Sequence, residues 1–166
     1  MVRLVLTAMI LATGCAGAQK TQRDTSALGQ VVEFTLPKLG GGQLGSRDLH
    51  GQVVLLDVWA TWCVPCLASL PFYQSVADTY GGRGLRVVGV NVDSDASEVT
   101  RFVAEHGITF DVLLDPEGSL AARLDLPAMP TLLLLDRDGH VVWKHASFEA
   151  RDKTTIKEHI HAALGK

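Results

Sequence analysis

The chain has 166 residues, a formal net charge of −3 with its histidines neutral, and 47% hydrophobic residues. That is enough for one domain with a full core, and the absence of basic runs gives no reason to invoke nucleic acid. Three cysteines (Cys15, Cys63 and Cys66) are too few for a disulfide scaffold.

The amino terminus reads as an export signal. Arg3 to Ala12 is a short apolar stretch behind one positive charge, too short to span a bilayer but matching a signal-peptide core. Ala12-Thr13-Gly14-Cys15 resembles a bacterial lipobox, in which Cys15 is acylated and becomes the new amino terminus, although Ala12 stands where leucine is commoner. Ala16-Gly17-Ala18 offers an ordinary signal-peptidase site instead, which would release a soluble secreted or periplasmic protein. The lipoprotein reading is preferred, because a cysteine directly after an apolar core otherwise has no purpose. The expected organisation is a signal with a lipobox cysteine over 1–15, a polar tether over 16–29 and a single domain over 30–166.

Within the domain, Val31–Leu36 reads as a strand, followed by a Gly40-Gly41-Gly42 turn. Val53–Trp59 is a continuous apolar run, as in a strand buried on both faces. A helix is predicted from Val64 to about Tyr80, with Pro65 in its first turn and Pro71 removing one backbone bond further on. Leu85–Val92 is a second buried strand. Asp95 with Glu98 three residues later marks the start of a helix carrying Val99, Phe102, Val103 and His106. Phe110–Leu114 is strand-like and Glu117–Leu124 a short helix. Thr131–Leu135 and His140–Lys144 form a hairpin around Asp136-Arg137-Asp138-Gly139, and the last helix places Ile156, Ile160, Ala163 and Leu164 on one face. This order implies an α/β fold, a central mixed sheet with helices on both faces.

Chemistry concentrates where the central strand hands over to its helix. Trp62-Cys63-Val64-Pro65-Cys66 places Cys63 at a helix amino terminus, where unpaired N–H groups and the helix dipole favour a thiolate. Two thiols three residues apart can close a disulfide and reopen it, so thiol–disulfide exchange is the leading reading. Zinc would ask for a second cysteine pair or nearby histidines, and none of His50, His106, His140, His145, His159 and His161 is spaced to pair with these cysteines; all six read as surface residues. Asp57, inside the apolar strand, would be costly to bury ionised, so its pKa is expected to rise. Trp59 and Trp62 flank the motif. Either could be a core residue, with Trp62 the better placed to touch a partner.

Trp59-Ala60-Thr61-Trp62-Cys63-Val64-Pro65-Cys66, Pro71, Met129-Pro130-Thr131 and the Asp136–Gly139 hairpin together resemble the thioredoxin superfamily, in its exported, membrane-tethered TlpA/ResA-like branch linked to cytochrome c biogenesis. The likeness covers about residues 30–164 and includes an insertion near 97–126. It implies a thioredoxin-like fold, with Cys63 as the exposed nucleophile and Cys66 as the resolving thiol of a Cys63–Cys66 disulfide. It also implies a cis bond before Pro130, with the backbone of Met129 pairing with a bound substrate beside Trp62. Thioredoxins proper carry an aspartate at the position of Asp57 that takes the resolving thiol's proton. Many members of this branch instead carry a glutamate three residues after the second cysteine, where this chain has Ser69.

The function so implied is an extracytoplasmic enzyme anchored on the periplasmic side. It would reduce disulfides in exported proteins, apocytochromes c among them, and be recharged by a membrane electron donor, with no cofactor or resident metal. Two other functions compete with it. A Cu(I) chaperone would use Cys63 and Cys66 as soft ligands, but such proteins on related folds use a wider cysteine spacing and an added histidine. A thiol peroxidase of the AhpC/TSA group would want Thr-x-x-Cys, whereas Thr61 lies two positions before Cys63.

Overall fold

The structure, a computed structural model, describes residues 27–126 and 128–165. The expectations for Cys15, for a signal over 1–15 and for the tether up to residue 26 lie outside the described residues.

The sheet is built on the apolar run foreseen as its centre. Strand β3 (Val53–Trp59) is buried at every position. It pairs in parallel with β4 (Leu85–Asn91), which pairs in parallel with β5 (Asp111–Leu114). On its other side β3 pairs antiparallel with β6 (Thr131–Leu135), and β6 with β7 (Val141–Ala146), giving the order β5-β4-β3-β6-β7. A central strand with neighbours on both edges and helices on both faces leaves no position for water, which is why its sequence does not alternate.

Alternate residues of β3 serve two separate cores. Val53, Leu55 and Trp59 pack with Cys66, Leu70, Tyr73 and Val76 of helix α1 (Val64–Tyr80), with Val99 of α2 (Ala96–Glu105), and with Ile156 and Ile160 of α4 (Asp152–Leu164). Val54, Leu56 and Val58 pack on the opposite face with Val32, Phe34, and Leu120 of α3 (Ser119–Arg123). Asp57, at an odd position, lies on the α1 face.

Three expectations need adjusting. The packed domain starts before residue 30: Ala27 is fully buried and the Gly29 N–H donates to Val141 O at 2.9 Å. Val31–Leu36 is not one strand. Val31 makes a lone bridge to His140, and a short β1 (Thr35–Pro37) pairs antiparallel with β2 (Gln43–Gly45). Between them Val32 donates to Gly139 O and Phe34 to Ser46 Oγ, so the buried side chains satisfy the apolar pattern while the backbone changes partner. The Glu117–Leu124 helix shrinks to α3, because Gly118 takes a left-handed φ of 63° and Asp115 accepts from the N–H groups of Ser119 and Leu120. Asp95 caps α2 as foreseen, accepting from the Ser97 N–H at 2.8 Å.

Candidate active site

Cys63 occupies the N-cap position of α1, Val64 and Pro65 form the first turn, and the Cys66 and Leu67 N–H groups both donate to Cys63 O. The apolar strand sets this junction, since β3 delivers the chain at Trp59 and Pro65 has the backbone angle a helix start requires. Cys63 and Cys66 are joined by a disulfide with their Cα atoms 5.2 Å apart. The pair is less open than the sequence implied: Cys63 is 5% exposed and Cys66 not at all. In the disulfide the Cys63 sulfur is drawn onto Cys66, so Cys63 is the more accessible of two covered atoms.

The two tryptophans separate completely. Trp59 is fully buried and packs against Phe102, whereas Trp62 is 65% exposed and Val64 74% exposed. The disulfide is therefore bordered by apolar side chains that face solvent. The Met129–Pro130 peptide bond is cis, and Met129 packs against the core cluster containing both cysteines. Thr131 Oγ1 donates to Ala128 O at 2.5 Å, and the Ser147 N–H donates to Pro130 O at 2.9 Å, pinning the proline loop between β6 and the end of β7.

Sequence reasoning missed the clamp beneath the cysteine turn. Buried Asp93, just past β4, accepts from the Thr61 N–H at 2.8 Å and from the Thr61 hydroxyl at 2.9 Å. Its carboxylate also accepts from Asn91 Nδ2 at 2.6 Å, and its own N–H donates to Asn91 Oδ1. Charge-assisted bonds of this kind are the stronger sort, and here they fix the turn that carries Trp62 and Cys63. An acidic residue directly after a buried strand was the available signal, but only tertiary pairing shows that it reaches back 32 positions.

Asp57 is 1% exposed, and neither carboxylate oxygen has a hydrogen-bond partner. Burial without compensation pushes its pKa up to about 8. Ser69, where a glutamate was absent from the sequence, is buried and donates to Cys66 O at 2.9 Å, so it binds backbone and supplies no acid. The face of α1 that carries Cys66 also carries Tyr73, two turns on, whose hydroxyl is buried without a partner. Burial first, and then the nearby Asp57 charge, raise the Tyr73 pKa, while the Ser69 hydroxyl, close by but outside hydrogen-bond geometry, works against them.

The histidines divide. His50, His106 and His161 are exposed, but His140, His145 and His159 are half-buried. His145 and His159 stack on Trp143, and His145 Nε2 lies 3.2 Å from Asp152 Oδ2. Among the described residues, the group whose ligand atoms could converge on a metal is Asp136, Asp138 and His140 on the hairpin, and it includes neither cysteine. A cavity of about 330 Å³ lined by Asp136, Arg137, Trp143 and His159 sits at the opposite end of β6 from Pro130. Neither cysteine lines that cavity.

A helix-capping dithiol at the end of a central parallel strand, faced by a cis-proline loop, is the site of a thioredoxin-fold thiol–disulfide oxidoreductase. Residues 27–160 match the Redoxin family, and the chain belongs to it, within the TlpA/ResA-like part of the thioredoxin superfamily. It is 28% identical over 143 residues to the thiol-disulfide oxidoreductase ResA of Geobacillus thermodenitrificans, covering 86% of this chain and 81% of that one. A Chlorobium tepidum structure assigned as the thiol:disulfide interchange protein DsbE superposes with a TM-score of 0.79 at 36% identity, over 82% of this chain and 97% of that one. StoA from Bacillus subtilis gives 0.65 at 26% identity, over 80% of this chain and 97% of that one. The protein is an oxidoreductase working through Cys63 and Cys66. Among the described residues no helix is long and apolar enough to cross a membrane.

Proposed function

We propose that this protein is exported, held at the membrane by acylation of Cys15, and reduces disulfides in extracytoplasmic proteins, apocytochromes c among them. The observation that carries the reading is the position of the two sulfurs: Cys63 at the N-cap of α1 and Cys66 one turn in and fully buried. The helix start lowers the pKa of the outer thiol and so makes it the attacking thiolate.

The Cys63 thiolate attacks one sulfur of the substrate disulfide. A Cys63–substrate mixed disulfide forms, and the second substrate sulfur leaves as a thiolate that takes a proton from water. Cys66 then loses its proton to the Asp57 carboxylate and attacks Cys63 Sγ. The first substrate sulfur departs as a thiolate and is protonated in turn. The substrate gains two electrons and two protons, and the protein is left with the Cys63–Cys66 disulfide. A membrane electron donor returns two electrons to it. Trp62 and Val64 supply apolar contact, and Met129 and Pro130 hold the substrate backbone alongside the disulfide.

The test is to express Cys66→Ser with the full amino terminus and identify the proteins trapped on Cys63, together with the reduction potential of the wild-type pair. Exported cysteine-bearing proteins on Cys63 and a potential below that of their disulfides support the reading. A potential as high as that of strong oxidants, about −120 mV, would reverse the direction.

A further inference from the structure

Buried polar atoms without partners are rare in folded proteins, and each asks for an explanation. Among the described residues there are five, and four of them are Asp57 Oδ1, Asp57 Oδ2, Trp59 Nε1 and Tyr73 OH. The fifth, His145 Nε2, has the Asp152 carboxylate at 3.2 Å. The four belong to one face of the molecule. Asp57 and Trp59 are two apart on β3 and point to the α1 side, and Tyr73 meets that side from α1 in the same cluster as Trp59. In register beside Asp57 stands Gly89 of β4. A Cβ there would lie 2.8 Å from Trp59 Nε1, so the indole N–H lies over the bare glycine next to Asp57. Two acceptors and two donors thus lie on the α1 side of the sheet, where Tyr73 is near enough to feel the Asp57 charge and also has the buried Ser69 hydroxyl beside it.

We propose that Tyr73 is a positioning residue for Asp57: its hydroxyl donates to the carboxylate when Asp57 is ionised, setting how readily Asp57 accepts the Cys66 proton. The inference rests on the proposed proton transfer from Cys66 and adds the group that tunes it. In the oxidised protein the hydroxyl and carboxylate are not bonded. Catalytic contacts often tighten only when charge develops, and a lone carboxylate in this setting has strong reason to draw the donor in. The titratable groups around Asp57 are few. Helix α1 brings Cys66 and Tyr73. Helix α4 brings Asp152, paired with His145 of β7 and felt at Tyr73. The register neighbours Gly89 and Leu132 carry no charge.

Tyr73→Phe tests this, since it keeps the ring packed on Phe72 and Phe148 and removes only the oxygen. Asp57 is followed by carboxyl-carbon NMR titration, and Cys66 resolution by stopped-flow release of the second thiolate from dithiobisnitrobenzoate across pH. The expected result is that the Asp57 midpoint rises by about one pH unit, the worth of one hydrogen bond to a charged group. The alkaline rise of the second phase should move with it, slowing resolution at pH 7 up to about tenfold. The first phase, Cys63 attack, should be unchanged. An Asp57 midpoint equal to wild type in Tyr73→Phe overturns the inference. Asp57→Asn separates the two ideas. Wild-type resolution in that variant defeats the proton-transfer reading, while the NMR shift still decides whether Tyr73 pairs with Asp57.

Discussion

Replacing Asp57 by asparagine changes how stability depends on pH, and the size of that change follows from burial. The Asp57 pKa goes from 3.8 to about 8 on folding. Between those values the native protein holds a proton that the unfolded chain has lost, so this group makes stability fall as pH rises. Each pH unit costs about 1.4 kcal/mol, which amounts to about 4 kcal/mol at pH 7, a large part of a typical domain's stability. Asparagine has no such titration. Its own unpaired amide adds a constant offset, so the slope is the diagnostic quantity. Unfolding by denaturant would be measured from pH 4 to pH 9 on the oxidised forms of both proteins, where the disulfide keeps the thiols from titrating. The lowered pKa values of Asp111, Asp136 and Asp152 are common to both proteins and cancel in the difference. The variant's advantage should be flat below pH 4, widen by about 1.4 kcal/mol per unit, and level off above pH 8. Parallel curves would refute the argument, because they would mean that Asp57 is ionised and compensated throughout.

Cys63 should alkylate well before Cys66 in the reduced protein, so that Cys66→Ser keeps substrate attack and Cys63→Ser loses it; mass mapping of a brief iodoacetamide pulse would reveal a reversed order. Cys15→Ala should release the protein from the membrane fraction or leave it unprocessed, and unchanged fractionation with normal maturation would point to cleavage after Ala18. Gly89→Ala should destabilise by about 1–3 kcal/mol: its Cβ would meet Trp59 Nε1 at 2.8 Å and Phe110 Cε2 at 3.1 Å, and the fully buried indole has no room to yield. A denaturation midpoint equal to wild type would show that the indole moves.

The sequence by itself determined the elements whose residues carry their own instructions. Val53–Trp59 reads as an interior strand because it is a short, nearly unbroken apolar run rich in valine, and the structure buries all seven positions. Pro65 and the two cysteines placed the start of α1, and the motif pointed to the chemistry before any contact was known. Asp57 was legible as a misfit, since a carboxylate among valines and leucines has a raised pKa wherever the strand is buried. The tertiary structure decided everything that depends on a distant partner. Val31–Leu36 has the composition of a strand, and Val32 and Phe34 are buried, but Val31 is exposed and the backbone changes partner within the segment, because burial acts on side chains while hydrogen bonds choose the backbone's neighbour. Trp59 and Trp62 are alike in sequence, yet one is sealed and the other open, because β3 ends between them. Asp93 reaches Thr61 across 32 positions, and Tyr73 comes near enough to Asp57 to feel its charge only because α1 packs against the sheet. Local propensity and burial are written into neighbouring residues, but a polar partner is specified only once the packed sheet brings two remote segments within hydrogen-bond reach.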